Sequence, residues 1–258
     1  MTRKALVVLS GGQDSTFCLY WALMQGWNVY AITFDYGQRH KAELQAADAV
    51  RRMAHLPTFR HEYVRMGKIL EGTSPLVSGE KLEQYADHHS LPGGLEKTFV
   101  PMRNQLFLTV AANRAYCMGA DALVTGVCQE DFGGYPDCRQ EFITALQNAC
   151  NLGTFCESPA GPLEIVTPLM HLTKAQSIHE ALKLPGCYAA WAYSHTAYDG
   201  QYPPVGHDHA TLLRAKGFEE AGIPDPLILR AVREERMELP RSDNYSADKV
   251  EFYSQYLI

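Results

Sequence analysis

The chain has 258 residues, 46% of them hydrophobic and 20% charged, and its 23 Lys and Arg stand against 29 Asp and Glu for a formal charge of −6. A chain of that length can bury a core without disulfide staples, and its acidic balance argues against a protein whose main work is wrapping nucleic acid, which needs a basic face. No apolar run approaches the roughly 20 residues of a membrane helix, and Met1-Thr2-Arg3-Lys4 runs straight into a strand-like segment without a secretory h-region, so a cytoplasmic location is expected.

Lys4 to Leu9 is a β-branched run that ends in Ser10-Gly11-Gly12, and a mostly apolar helical stretch follows to Met24. Gly26 stops that helix, and Asn28 to Phe34 reads as a second buried strand. Arg39 to Leu56 puts Ala42, Ala46, Ala49, Val50 and Met53 on one helical face; Pro57 ends it, and Phe59 to Val64 is a third strand. Glu71 to Phe99 is weakly periodic and predicts a long loop. The rhythm resumes with a helix at Asn104–Tyr116, a strand at Ala122–Val127, a helix at Gln140–Asn151, a strand at Leu163–Val166 and a helix at Lys174–Leu182. Gly186 to Pro226, rich in Gly, Pro, His and Tyr, predicts an irregular C-terminal lobe. Apolar strands alternating with helices predict an α/β fold, a parallel sheet with helices on both faces. The expected division is a core at 1–185 and a lobe at 186–258 packed on it as one compact domain.

The sharpest local signal is Leu9-Ser10-Gly11-Gly12-Gln13-Asp14-Ser15-Thr16. Glycines let the backbone turn tightly and approach an anion, and the first N–H groups of the following helix then point at it. Ser10, Ser15 and Thr16 add hydroxyl donors, and Asp14 can hold a magnesium ion bridging phosphates. A capped helix start after a tight turn is the plainer alternative. The complete string after the first strand favours nucleotide binding, and no lysine follows the glycines as it would in a γ-phosphate-hydrolysing loop. The string resembles the pyrophosphatase-type loop of ATP-dependent ligases, in which the α-phosphate is attacked and pyrophosphate leaves.

Further strings narrow the resemblance: Phe34-Asp35-Tyr36-Gly37-Gln38-Arg39-His40, Val100-Pro101-Met102-Arg103-Asn104, Gly126 to Asp131, Gly134-Tyr135-Pro136-Asp137-Cys138-Arg139, Lys174, and Arg214 to Gly222. Together, from Lys4 to Pro226, they resemble the 7-cyano-7-deazaguanine synthases, ligases of Rossmann-like, adenine nucleotide α-hydrolase-like fold. The resemblance implies that 7-carboxy-7-deazaguanine is adenylated by ATP with Mg2+, that ammonia displaces AMP to give the amide, and that a second ATP drives loss of water to the nitrile. It implies small-molecule substrates, no nucleic-acid or membrane partner, and a homodimer.

Asp14, Arg103 and Lys174 are then the catalytic candidates. The nucleotide would lie on Leu9, Ser10, Gly11, Gly12, Gln13, Asp14, Ser15, Thr16, Phe17, Cys18, Leu19 and Phe34. Asp35, Gln38, Asp131, Tyr135, Asp137 and Arg139 would hold the substrate, with Arg139 on its carboxylate and Tyr135 stacked on the base. Each has a structural alternative: Arg103 and Asn104 as a helix-start pair, Asp137 as a cap, Lys174 as a solvated lysine. Cys138 reads as pocket lining, because an adenylate route needs no thioester. The rival readings are an enzyme adenylating another carboxylate or a macromolecule, and a non-catalytic nucleotide-binding module.

One departure stands out. The family carries four zinc-binding cysteines in its C-terminal lobe, and the matching positions here hold Ala197, Val205, Asp208 and Thr211. The seven cysteines of the chain include no C-x-x-C pair. Zinc is therefore not expected, although His195, His207, Asp208 and His209 are weak candidates for a rebuilt site.

Overall fold

Lys4–Val8 (β1) pairs in parallel with Asn28–Asp35 (β2) on one side and Ala122–Val124 (β4) on the other. His61–Arg65 (β3) joins β2, and Glu164–Val166 (β5) joins β4, so a computed structural model gives a five-stranded parallel sheet in the order β3-β2-β1-β4-β5. It describes every residue except 1, 39, 71, 73, 79, 88–89, 91–94, 130–134 and 258.

Alternation along β1 sends Ala5 and Val7 to one face and Leu6 to the other, and both faces are buried. The first face packs on Gln13–Met24 (α1) and Ala42–Met53 (α2) through residues such as Phe17, Leu19, Ala47 and Val50. The second packs on Arg103–Met118 (α4) and Gln140–Gly153 (α5) through Leu108, Ala112, Ile143 and Leu146. Lys174–Leu182 (α6) returns to the first face, where Ile178 and Ala181 are fully buried. Trp191 and Phe218 belong to that same buried cluster, so residues after 186 share the core of α1, α2 and α6.

Three expectations are corrected. The strand expected to run to Val127 stops at Val124, because the chain then crosses the first turn of α1: a Cβ at Gly126 would lie 2.9 Å from the Asp14 carbonyl carbon. The helix expected from Arg39 begins at Ala42 and stops at Met53, ahead of Pro57, where His55 turns left-handed at φ 51°. The expected irregular lobe holds Cys187–Trp191 (α7) and the 13-residue His209–Ala221 (α8), and Pro226–Arg233 (α9) and Ala247–Ser254 (α10) follow. In α8 the buried positions include Thr211, Arg214 and Gly217, so its inward face does not read as an apolar stripe. Within the expected 71–99 loop, the described residues include one short helix, Pro75–Ser78 (α3).

One buried pair beneath the sheet's ligand end has a consequence for stability. His61 Nε2 lies 2.7 Å from Thr33 Oγ1, and the Thr33 hydroxyl donates to the Leu9 carbonyl just before the glycine turn. Burial, with the nearby Arg51 charge, pulls the His61 pKa from 6.5 to about 4. The folded state then binds fewer protons than the unfolded chain between those values, so stability falls as pH drops through that window. Between pH 7.5 and pH 5 this site alone should cost about 2 kcal/mol. Urea denaturation at the two pH values checks it: His61→Gln should shrink the pH-dependent difference by about that amount, and an unchanged difference would exclude His61 as its source.

Candidate functional site

In an open parallel sheet the ligand crevice opens beyond the carboxyl ends of the strands, where the strand order reverses. Here that point falls between β1 and β4. A cavity of about 420 Å3 lies there, walled by Ser10, Gly12 and Asp14 after β1 and by Thr125, Gly126 and Cys128 after β4.

The loop after β1 is held from several sides. Gly11 sits at φ 92°, and a Cβ there would lie 2.4 Å from the Glu43 carbonyl oxygen of α2, so only glycine lets the turn pack against that helix. The Gly11 carbonyl accepts from the His195 N–H at 2.8 Å, and the Gln13 carbonyl accepts from Trp191 Nε1 at 2.8 Å. Inside the loop, the Ser15 hydroxyl accepts from the Gly11 N–H and the Ser10 hydroxyl accepts from the Gly12 N–H. Because Gly12 caps α1 without a side chain, the N–H groups of Gln13, Asp14 and Ser15 have no acceptor within the helix and stand at its positive end.

Lys174 comes to this loop from 160 positions away. Thr173 and Gln176 form a reciprocal capping box that starts α6, leaving Lys174 in its first turn. Gly217 of α8 lets α6 approach closely: a Cβ there would lie 2.7 Å from Lys174 Cβ. Lys174 Nζ then sits 2.7 Å from Asp14 Oδ2, with both side chains mostly buried. A carboxylate and an ammonium at the mouth of an anion-binding helix start can hold a cation-carrying polyphosphate.

The opposite wall carries Arg103, in the first turn of α4, with Tyr36, Tyr135, Tyr198 and Glu43 around it. Burial works against the Arg103 charge, but those tyrosines and Glu43 outweigh it and hold the guanidinium above the ordinary arginine range. Burial pushes the Glu43 carboxyl up, partly offset by Arg103. Tyr135 hydroxyl lies 2.7 Å from Thr98 Oγ1, and Phe107, stacked on Phe34 at 4.5 Å, presents a second aromatic to the cavity. Cys138 and Arg139 also line it.

The sequence-predicted residues divide accordingly. Ser10, Gly12, Gln13, Asp14, Ser15, Arg103, Tyr135, Arg139 and Lys174 meet at the cavity. Leu9, Phe17, Cys18, Leu19 and Phe34 are buried in the two cores and build the site from behind. Thr16 is fully buried, its hydroxyl donating to the Gly12 carbonyl at 2.8 Å. Asp35 and Gln38 do not reach the main cavity: Gln38 bonds the Tyr36 N–H and the Phe34 carbonyl and shapes the turn after β2. Asp137 is buried and turned to α4, accepting from the Asn104 N–H at 3.3 Å, so it positions the helix that carries Arg103. Asp131 lies outside the described residues. Sequence reasoning missed Glu43, Tyr36, Phe107 and Tyr198; of these Tyr36, inside the Phe34–His40 string, and Tyr198, next to Ala197 in the stretch Thr196-Ala197-Tyr198, carried a signal.

The zinc positions of the resembling family offer no donor set. Ala197 is a buried methyl and Val205 is exposed. Asp208 caps α8, one oxygen accepting from the Thr211 N–H and the other from the Thr211 hydroxyl. The weak candidates do not converge: His195 Nε2 is on the Ala197 carbonyl, His207 is exposed, and His209 is buried near Glu96. Among the described residues no group of three His, Cys, Asp or Glu is arranged to hold a metal ion, and no helix is long and apolar enough to cross a membrane.

Comparison with known proteins places this geometry among relatives. A family model described as "Queuosine biosynthesis protein QueC" matches residues 4–222. A 7-cyano-7-deazaguanine synthase of Gloeobacter violaceus is 49% identical over 227 residues, covering 87% of this chain and 95% of the relative. Its counterpart in Chromobacterium violaceum is 46% identical over 242 residues, covering 90% and 96%. A solved 4-thiouridine synthetase–RNA complex with bound ATP is a distant likeness: 16% identity, TM-score 0.46, over 99% of this chain and 53% of that one.

Proposed function

We infer the reaction from a premise of kinship: this chain belongs to the QueC family of queuosine biosynthesis proteins. It is an ATP-dependent ligase that makes 7-cyano-7-deazaguanine from 7-carboxy-7-deazaguanine and ammonia through an adenylated intermediate. The observation that carries the residue roles is the meeting of the α1 start, Asp14 and Lys174 at the strand-order reversal, facing Arg103 across one cavity.

The N–H groups at the start of α1 and the Ser10 and Ser15 hydroxyls hold the outer phosphates of ATP. Lys174 and Arg103 flank the phosphates, where charge builds as the substrate carboxylate attacks the α-phosphorus and pyrophosphate departs. Asp14 is the carboxylate that fits a magnesium ion arriving with the triphosphate, and such an ion would neutralise charge across the phosphates. Arg139 pairs with the substrate carboxylate, and Tyr135 and Phe107 offer aromatic faces to the planar base. The Cys138 thiol lines the wall and forms no bond to substrate. The assembly is a homodimer without a nucleic-acid partner, a reading that rests on the family resemblance and the acidic net charge.

The test is the purified protein with ATP, magnesium, an ammonium salt and 7-carboxy-7-deazaguanine, read by mass spectrometry. The nitrile with AMP and pyrophosphate is the expected result. Cleavage to ADP, or AMP formation only with another acceptor, would overturn it.

A further inference from the structure

A second, smaller chamber of about 40 Å3 adjoins the main cavity and shares five wall residues with it: Tyr36, Glu43, Arg103, His195 and Tyr198. Gln38, His40, Leu76 and Ala197 complete its polar and apolar sides. Tyr36, Gln38 and His40 line this chamber, whereas Asp35 lines neither space. A space of this size takes one or two water-sized molecules. A purine base or a phosphate group does not fit.

Two groups in its wall await a ligand. The Glu43 carboxylate makes no hydrogen bond or ion pair with any described residue and faces both spaces. His40 Nε2 is buried without a hydrogen-bond partner. On the reading under Proposed function, the enzyme's one small substrate is ammonia, which water holds mainly as ammonium at neutral pH.

We propose that this chamber admits ammonium and that Glu43 is the base that converts it to ammonia on the threshold of the main cavity. The proposal rests on the ligase reading above. Ammonium gives one proton to the Glu43 carboxylate. The freed lone pair forms the C–N bond at the acyl carbon, the bond from that carbon to the adenylate oxygen breaks, AMP leaves with the electron pair, and the second proton lost by nitrogen goes to solvent. Burial, which raises the Glu43 carboxyl against the opposing Arg103 charge, makes it a better proton acceptor than an exposed carboxylate. Arg103, on the same threshold, repels a cation and lets the neutral molecule pass. The other titratable groups facing Glu43 are Tyr36, Tyr198, His40 and His195; burial raises both tyrosines and lowers His195, which leaves all three uncharged at neutral pH.

Two variants and two nucleophiles test it. In Glu43→Gln at pH 7, turnover with ammonium should fall at least tenfold. Substrate-dependent ATP–pyrophosphate exchange, and hydroxamate formation with hydroxylamine (largely uncharged at that pH), should fall several-fold less than ammonium turnover does. Leu76→Phe, which narrows the chamber and leaves its charges alone, should raise the KM for ammonium and for hydroxylamine several-fold with exchange unaffected. Unchanged ammonium kinetics in both variants would mean the chamber holds water only and would sink the proposal. Absence of substrate-dependent exchange in the wild-type protein would instead remove the ligase reading on which it stands.

Discussion

Lys174→Met should slow substrate-dependent ATP–pyrophosphate exchange by about 10²- to 10³-fold, the usual loss when one preorganised group facing developing charge is removed. The side chain is 14% exposed, and its ammonium lies 2.7 Å from Asp14 at the start of α1. Methionine keeps the length and most of the packing against Gly217, so the change is chiefly electrostatic. Its second effect has the same sign. Asp14 loses its cation while facing a polyanion, so ATP should bind more weakly as well as react more slowly. Lys174→Arg keeps the charge but not the compact point donor and should fall between the two. The measurement is the exchange rate over a range of ATP concentrations, with thermal unfolding in parallel to exclude misfolding. A Lys174→Met protein with kcat within threefold of wild type would remove Lys174 from the chemistry.

The parts of this site that turn on local backbone chemistry could be read from the chain; the parts that turn on distant approach could not. Ser10 to Thr16 announces itself because a strand, two glycines and hydroxyl residues prescribe one kind of turn. Lys174 and Asp14 were each visible, yet their contact depends on Gly217 and Gly126, whose missing side chains matter only once α8 and the chain after β4 are laid against them. Glu43 was hidden for a different reason. An acid in the first turn of a helix is what the helix dipole favours on its own, and nothing local says that Gly11 will bring that turn against the loop after β1. Asp35 and Gln38 lie just past a strand end, as ligand-binding residues do, yet both stay outside the main cavity, and Gln38 bonds its own turn at the wall of the smaller chamber. Helix α8 escaped because its inward face holds a threonine, an arginine and a glycine where a core helix ordinarily shows an apolar stripe.

That arginine carries the second large effect. Arg214 is 3% exposed and meets Asp225 through two parallel bonds, Nε to Oδ2 at 2.6 Å and Nη2 to Oδ1 at 2.8 Å. Nη1 donates to the Ser194 and Thr196 hydroxyls, Nη2 also reaches the Trp191 carbonyl, and the Phe218 ring lies 5.5 Å away. Asp225 caps α9 through the Leu227 N–H, so one ion pair ties α7, α8 and α9 together behind the Ser10–Thr16 turn. The tie uses none of Ala197, Val205, Asp208 and Thr211, the positions that the resemblance assigns to zinc-binding cysteines. Arg214→Ala should therefore cost about 3–5 kcal/mol, because it leaves a carboxylate buried and unpaired. That corresponds to a fall of roughly 6–20 °C in Tm. Asp225→Asn should cost less, since the amide oxygen still caps α9 and the arginine keeps its two hydroxyls. The double variant should be less destabilised than the sum of the singles, as two groups in one contact are coupled. Chelator treatment should leave the wild-type Tm where it is. A drop on chelation, or an Arg214→Ala protein as stable as wild type, would mean that something other than this pair holds the lobe.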